Sequence, residues 1–236
     1  MAMQKTVLIT GFGAGAELIN ALTRHYSRQG FDVLYGESRE ADAIGEEITT
    51  LIHGERTLSA FIYISPPPRQ GTLLQDDAGL INETMNDDLE VGLWWIQAVS
   101  RQMVRQGTGG RIVTLAHIAA LVPTERFSYG AASQLALMNL CRSAVLDLAP
   151  HRIKINTLFR GFSATHPAER EFVEQLKMLH QDDGIPLIEY TEPEEIASTC
   201  YLLTDPAINS FNGAMLTMDS GFYITRKIRY LSPALV

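Results

Sequence analysis

Cysteine is nearly absent from this chain, with only Cys141 and Cys200 among 236 residues. Both fall in helix-like segments, so two buried free thiols of a cytosolic protein are expected rather than a disulfide framework. No apolar run approaches the roughly 18 residues that a membrane span needs. The opening Met1-Ala2-Met3-Gln4-Lys5 runs directly into an apolar strand without a signal-peptide core, and the expected location is the cytoplasm. Lysine is scarce, limited to Lys5, Lys154, Lys177 and Lys227, and no Lys/Arg block stands anywhere in a chain of net charge −8. That balance argues against nucleic acid or an anionic membrane as partner. None of the six histidines has metal-ligand spacing to another, so no metal site is expected. Linkers, internal repeats and low-complexity segments are also missing, which leaves a single domain over residues 1–236.

What is present is an alternation of two periodicities. Short β-rich runs stand at Thr6–Thr10, Phe31–Tyr35, Ala60–Ile64, Arg111–Leu115, Ile153–Leu158 and Ala214–Met218. Between them lie stretches with helical spacing at Ala16–Gly30, Asp87–Arg105, Ser128–Leu148 and Glu192–Leu203, the last with Thr191 as its expected cap. Strand-helix alternation throughout predicts an α/β fold, a Rossmann-type doubly wound parallel sheet.

Several stretches, in order, carry a resemblance to a known family. Thr10-Gly11-Phe12-Gly13-Ala14-Gly15 is similar to the opening glycine turn of the short-chain dehydrogenase/reductase family. Gly110–Leu115 resembles that family's fifth strand, and Leu146–Pro150 followed by Ile153–Asn156 resembles the end of its active-site helix and its sixth strand. Gly184-Ile185-Pro186-Leu187, Pro193–Ala197 and Asn212-Gly213 to Gly221 resemble its C-terminal third.

The resemblance implies a Ser-Tyr-Lys centre assisted by an Asn, with a lysine lowering the tyrosine's pKa because a phenol near pH 10 needs a nearby cation. Counting from the matched stretches puts His117 at the serine, Gly130 at the tyrosine, Gln134 at the lysine and Asp88 at the asparagine. None of the four family residues is there, so no catalytic residue is assigned. Tyr129 is one position off, which rotates a side chain about 100° on a helix; it is read as packing at a helix start or as a replacement acid/base. His117 is read as a buried, satisfied histidine or as a group that binds a carbonyl or relays a proton. Asp88 is read as a cap of its helix. Arg160, where relatives carry proline, is read as a ligand for an acidic substrate or a partner's carboxylate, or as a solvated side chain.

The cofactor side departs too. Glu17 replaces the third glycine and brings negative charge to a helix N-terminus, where it satisfies the helix end and repels a pyrophosphate. The Tyr35–Leu58 segment is about half the span that relatives use for a helix and strand beside the adenine. Tyr63-Ile64-Ser65-Pro66 replaces the family's Asn-Asn-Ala-Gly turn. No cofactor is therefore expected on this chain, and Gly11, Gly13 and Gly15 are left as turn residues.

The segments that build oligomers in relatives are retained: the two long helices, the last helix and the last strand, followed here by an apolar tail over about 222–236. Phe222, Tyr223 and Ile224 are the expected interface residues, although the tail is equally read as folding back on its own domain. The expectation is a non-catalytic subunit of a hetero-oligomer, a tetramer, paired with an intact short-chain dehydrogenase that carries NAD and oxidises a hydroxyacyl-CoA in aromatic hydrocarbon breakdown. The competing expectation is a divergent enzyme using His117, Tyr129 or Asp88 without a nicotinamide.

Overall fold

The computed structural model describes residues 4–67, 74, 78–124, 127–179 and 189–224. Six strands are present among them: β1 (Gln4–Gly11), β2 (Asp32–Gly36), β3 (Arg56–Ile64), β4 (Gly110–His117), β5 (Ile153–Arg160) and β6 (Met215–Met218). All pair in parallel, in the order β2-β1-β3-β4-β5-β6. The inner strands are apolar on both faces because both faces are covered. Along β1, Val7 and Ile9 point into one cluster and Leu8 into the other.

Helices α1 (Ala16–Arg28) and α7 (Pro193–Thr204) cover one face, burying Leu22, Tyr26, Ile196 and Cys200 against Val7, Ile9 and Val113. On the opposite face, α2 (Ala41–Leu51), α4 (Val91–Gln106) and α5 (Ser128–Leu148) bury Ile44, Ile48, Trp95, Val99, Leu137 and Cys141. Both cysteines are buried free thiols, and burial pushes each up to about 12. A third cluster sits over the carboxyl ends of β4 and β5, where α6 (Pro167–Leu179) contributes Val173 and Leu176 to Ala116, Phe159 and Phe162. No helix among the described residues is long and apolar enough to cross a membrane.

Several elements differ from the sequence reading. The Tyr35–Leu58 segment does hold a helix, α2, and β3 begins at Arg56 rather than Ala60. The strand that resembles the family's fifth is the fourth among the described residues, so one strand fewer precedes it and β2 is left at the sheet's edge there. The helix expected over Asp87–Arg105 is the end of a longer stretch: α3 (Ala78–Met85), a π-helical turn at Asn86–Glu90, then α4. It stops at Gly107, whose φ of 69° lets its N–H reach back to the carbonyls of Met103 and Val104. α6 was not anticipated. Glu192, not Thr191, is the N-cap of α7, its N–H donating to Glu195 Oε2 at 3.1 Å; the Thr191 hydroxyl donates to Met218 O instead.

Candidate functional site

In an open parallel sheet, ligands bind at the carboxyl ends of the strands where the order of winding reverses. Here that point lies between β1 and β3. On its β1 side the glycine turn is closed by the loop that follows β3. Gly13 has φ 83°, and a Cβ built there would lie 3.2 Å from Pro67 Cδ, so the proline ring already rests on the turn. Arg39 lies over the Phe12 ring, 4.4 Å from its centroid, and its Nη1 pairs with Asp87 Oδ1 at 3.2 Å. Glu17 stands exposed in the first turn of α1. Gly15 is the N-cap of that helix and has no side chain to satisfy it, and Glu17 brings a negative charge to the same turn.

His117 ends β4, fully buried. Its backbone N–H donates to Gln134 Oε1 at 2.8 Å, and Gln134 Nε2 donates in turn to Pro66 O at 3.0 Å. Gln134 therefore stands where the resemblance puts the lysine and bridges the ends of β3 and β4 with its amide oxygen and nitrogen. His117 Nδ1 accepts the Ala119 N–H at 3.0 Å, which places the ring proton of the neutral imidazole on Nε2. The rings of Phe127 and Phe162 flank it. Burial, reinforced by the charge of Arg160, lowers the His117 pKa from its ordinary value of 6.5 despite the Glu169 carboxylate beside it.

Asp88 is also fully buried; it lies inside the π-helical turn, whose N-cap is Met85, a feature frequent at functional positions. The Ser133 hydroxyl donates to its Oδ2 at 2.8 Å. Tyr63, buried beside it, is held well above the ordinary tyrosine range by burial and by the Asp88 charge. Tyr129 lies in the first turn of α5, half-buried, next to the buried Gly130. Asp88 and His117 thus have separate partners and are not gathered into one acid/base pair.

The residue that the sequence reading missed is Glu169, in the first turn of α6 and only 3% exposed. Arg160 grips it as a fork, Nη1 to Oε2 at 2.8 Å and Nη2 to Oε1 at 2.9 Å, and the Ser163 N–H donates to Oε2 at 2.7 Å. His117 Nε2 faces Oε1 at 3.6 Å, beyond hydrogen-bond reach. Burial alone would raise the Glu169 pKa; His117 and the Arg160 cation overcome it and hold the carboxyl well below the usual range. Arg160 is therefore neither solvated nor available to an outside carboxylate in this state. Pro167 with Glu169 two residues on reads as a helix start, but nothing local tells that this carboxylate turns inward.

The expected interface residues differ in their exposure within the chain, Phe222 being the most buried of the three. It is 3% exposed and packs edge-on against Phe162 at 5.1 Å, because the turn at Asp219–Gly221 directs it into the third cluster. Tyr223 is half-buried against the same cluster, and Ile224 is 61% exposed. Residues 225–236 of the tail and the Gly184–Leu187 stretch lie outside the described residues.

Comparison with known proteins bears on this arrangement. A family profile described as enoyl-(acyl carrier protein) reductase matches residues 37–223. The L-rhamnose 1-dehydrogenase (NAD(P)(+)) of Azotobacter vinelandii is 24% identical over 95% of this chain and 98% of its own length. The L-rhamnose-1-dehydrogenase of Scheffersomyces stipitis is 29% identical over 60% of this chain. That alignment spans 55% of the yeast protein, so the chain matches little more than half of this relative's length. Among solved structures, acetoin dehydrogenase from Enterobacter cloacae superposes with a TM-score of 0.77 at 21% identity over 100% of both chains, a likeness of fold.

Proposed function

Since this chain belongs to the short-chain dehydrogenase/reductase family, an oxidoreductase family, its altered crevice is a departure from a working plan, and we propose that it serves as a non-catalytic subunit of a hetero-oligomeric dehydrogenase. The observation that carries this reading is Gln134. At the lysine position it is buried, its Oε1 accepting the His117 N–H and its Nε2 donating to Pro66 O, and it brings no cation to the site. A dinucleotide does not fit the residues around it. Pro67 rests on Gly13, and Glu17 sets a negative charge where a pyrophosphate meets the helix end. NAD then belongs on the partner, an intact dehydrogenase of the same family. The rest of the sheet and its helical layers are kept while the family's acid/base residues are replaced, which is what a protein retained for its surface would keep.

The surface offered to the partner is the α4/α5 face. It carries a groove of about 550 Å³ lined by Leu93, Ile96, Val104, Ala144 and Leu148, with Leu140 and Leu146 exposed nearby. The substrate class we assign to the assembly is a hydroxyacyl-CoA of aromatic hydrocarbon breakdown. It rests on the chain's likeness, in its style of degeneration, to the non-catalytic subunit of the enzyme acting on hydroxy(phenyl)methylsuccinyl-CoA in anaerobic toluene degradation. The relatives named above act on other alcohols and lend that substrate no support. The divergent-enzyme reading is weaker, because His117 and Asp88 are bound to separate partners.

Affinity isolation of the tagged chain from its native cell, followed by native mass spectrometry, tests the assignment. The expected result is one stoichiometric short-chain dehydrogenase that retains the tyrosine and lysine. A monomer, or an assembly of this chain alone, removes the subunit reading.

A further inference from the structure

The carboxylate of Glu169 occupies a receptor that the rest of the chain builds. Arg160, the last residue of β5, supplies two parallel N–H groups, and the Ser163 backbone supplies a third. His117, at the end of β4, points the Nε2–H of its neutral ring at the same carboxylate from 3.6 Å, and that buried nitrogen has no hydrogen-bond partner. His166 Nδ1 stands 4.0 Å from Oε1 and is likewise buried without one. A planar fork plus a backbone N–H is how proteins hold a free carboxylate. The receptor also lies at the carboxyl ends of β4 and β5, the edge of the sheet where this architecture takes its ligands.

Every donor comes from the sheet or the loop leaving it, and only the acceptor comes from α6. Among the described residues, that helix meets the body through Val173 and Leu176 in the third cluster, Phe172 beside Phe162, Glu174 and Lys177 against Tyr190, and Glu169 itself. We infer that Arg160, the Ser163 N–H and His117 form a binding site for a small organic carboxylate. Glu169 is its built-in occupant, and a ligand displaces it by lifting the start of α6. The aromatic rings at His117, Phe127 and Phe162, suit a ligand whose carboxylate is borne on a small aromatic or apolar body. An occupant on the same chain competes at the high effective concentration of a tethered group, so a ligand binds far more weakly to the wild-type chain than to one without Glu169. The inference goes beyond the subunit reading and holds with or without it.

Two measurements on the full chain test this. Glu169→Ala removes the atoms of an acetate, so acetate is the probe for that variant. Acetate, against chloride at equal ionic strength, should raise its melting temperature saturably, with at least about tenfold weaker apparent affinity for the wild-type chain. Adding Arg160→Ala should abolish the effect. The second measurement needs no variant: phenylacetate should speed amide hydrogen exchange over residues 167–172 of the wild-type chain while the β4 and β5 amides keep their protection. An acetate response no larger than that to chloride, or one that survives Arg160→Ala, overturns the site. Unchanged exchange in α6 at the highest soluble phenylacetate overturns the displacement, even where the variant takes acetate.

Discussion

At the scale of single residues, the two best-determined positions are His117 and Gln134, and both were legible only in part. Their numbers followed from counting along matched stretches; their partners did not, since hydrogen bonds to Pro66 O and from Ala119 N–H depend on how loops fold over the strand ends. Replacing Gln134 by Leu should leave the His117 N–H and Pro66 O buried and unpaired. The expected cost is about 1–3 kcal/mol per group, read as a lower urea midpoint with an unchanged slope. His117 makes stability fall with acid. Its folded pKa is below the ordinary 6.5, so its contribution is fully present above that value and is lost as pH drops beneath it, where the unfolded chain takes the proton more readily. Glu169 acts in the same direction in a lower window, since its depressed carboxyl contributes stability above the ordinary 4.5 that is lost below it. Urea unfolding from pH 8 to 3 should therefore decline in two stages. His117→Asn, which keeps an acceptor for the Ala119 N–H, should shrink the first stage to the part left by His25, whose pKa burial also lowers, and spare the second; a first stage of undiminished size in that variant would falsify the assignment to His117.

At the scale of elements, the strands and α5 were readable because their signals are local. The β-branched runs bounded by glycine mark the strands, and Pro150 marks the end of α5. What escaped were the elements whose signals are weak or interrupted. α2 is a short helix in a segment read as shortened, and in α6 a charged residue, Glu169, shares the inward face with Phe172, Val173 and Leu176. The π-helical turn at Asn86–Glu90 adds a residue within one helical stretch, and no periodicity argument over Asp87–Arg105 anticipates it. α6 is held by the Arg160–Glu169 ion pair as well as by its apolar face. Arg160→Ala should thus strand a carboxylate that is 3% exposed, costing about 3–5 kcal/mol, and the loss should show first as faster hydrogen exchange in α6. The Phe222 side chain belongs to the same layer, so Phe222→Ala should cost about 3–5 kcal/mol by opening a cavity beside Phe162. A charged residue there would test folding, not docking; Ile224→Glu is the variant that tests docking, because it should leave the melting temperature unchanged while weakening any contact made through this end of the chain.

At the scale of the whole molecule, fold class was fully legible and the site only as a set of absences. A parallel sheet follows from strand-helix alternation, whereas a crevice closed by Pro67 and bridged by Gln134 follows from contacts between distant segments. The purified chain should bind neither NADH nor NADPH; fluorescence titration should show no saturation at about millimolar cofactor, and micromolar binding would reverse the reading of the crevice. Rebuilding the centre with His117→Ser, Gly130→Tyr and Gln134→Lys should yield no NAD-dependent oxidation if, as proposed, Pro67 and Glu17 keep the hydride donor out. The shortened segment after β2 has one more effect. With a strand fewer, β2 is an outer edge among the described residues, a row of five residues with unpaired backbone groups along one side. Such a margin is a template on which another chain's strand can crystallise out of solution, and what guards it here is brevity, the Asp32–Arg56 ion pair at its entry and the acidic Glu37 just past its end. In a crowded expression host, aggregation that begins at this margin is the form of failure to look for when the chain is made in excess.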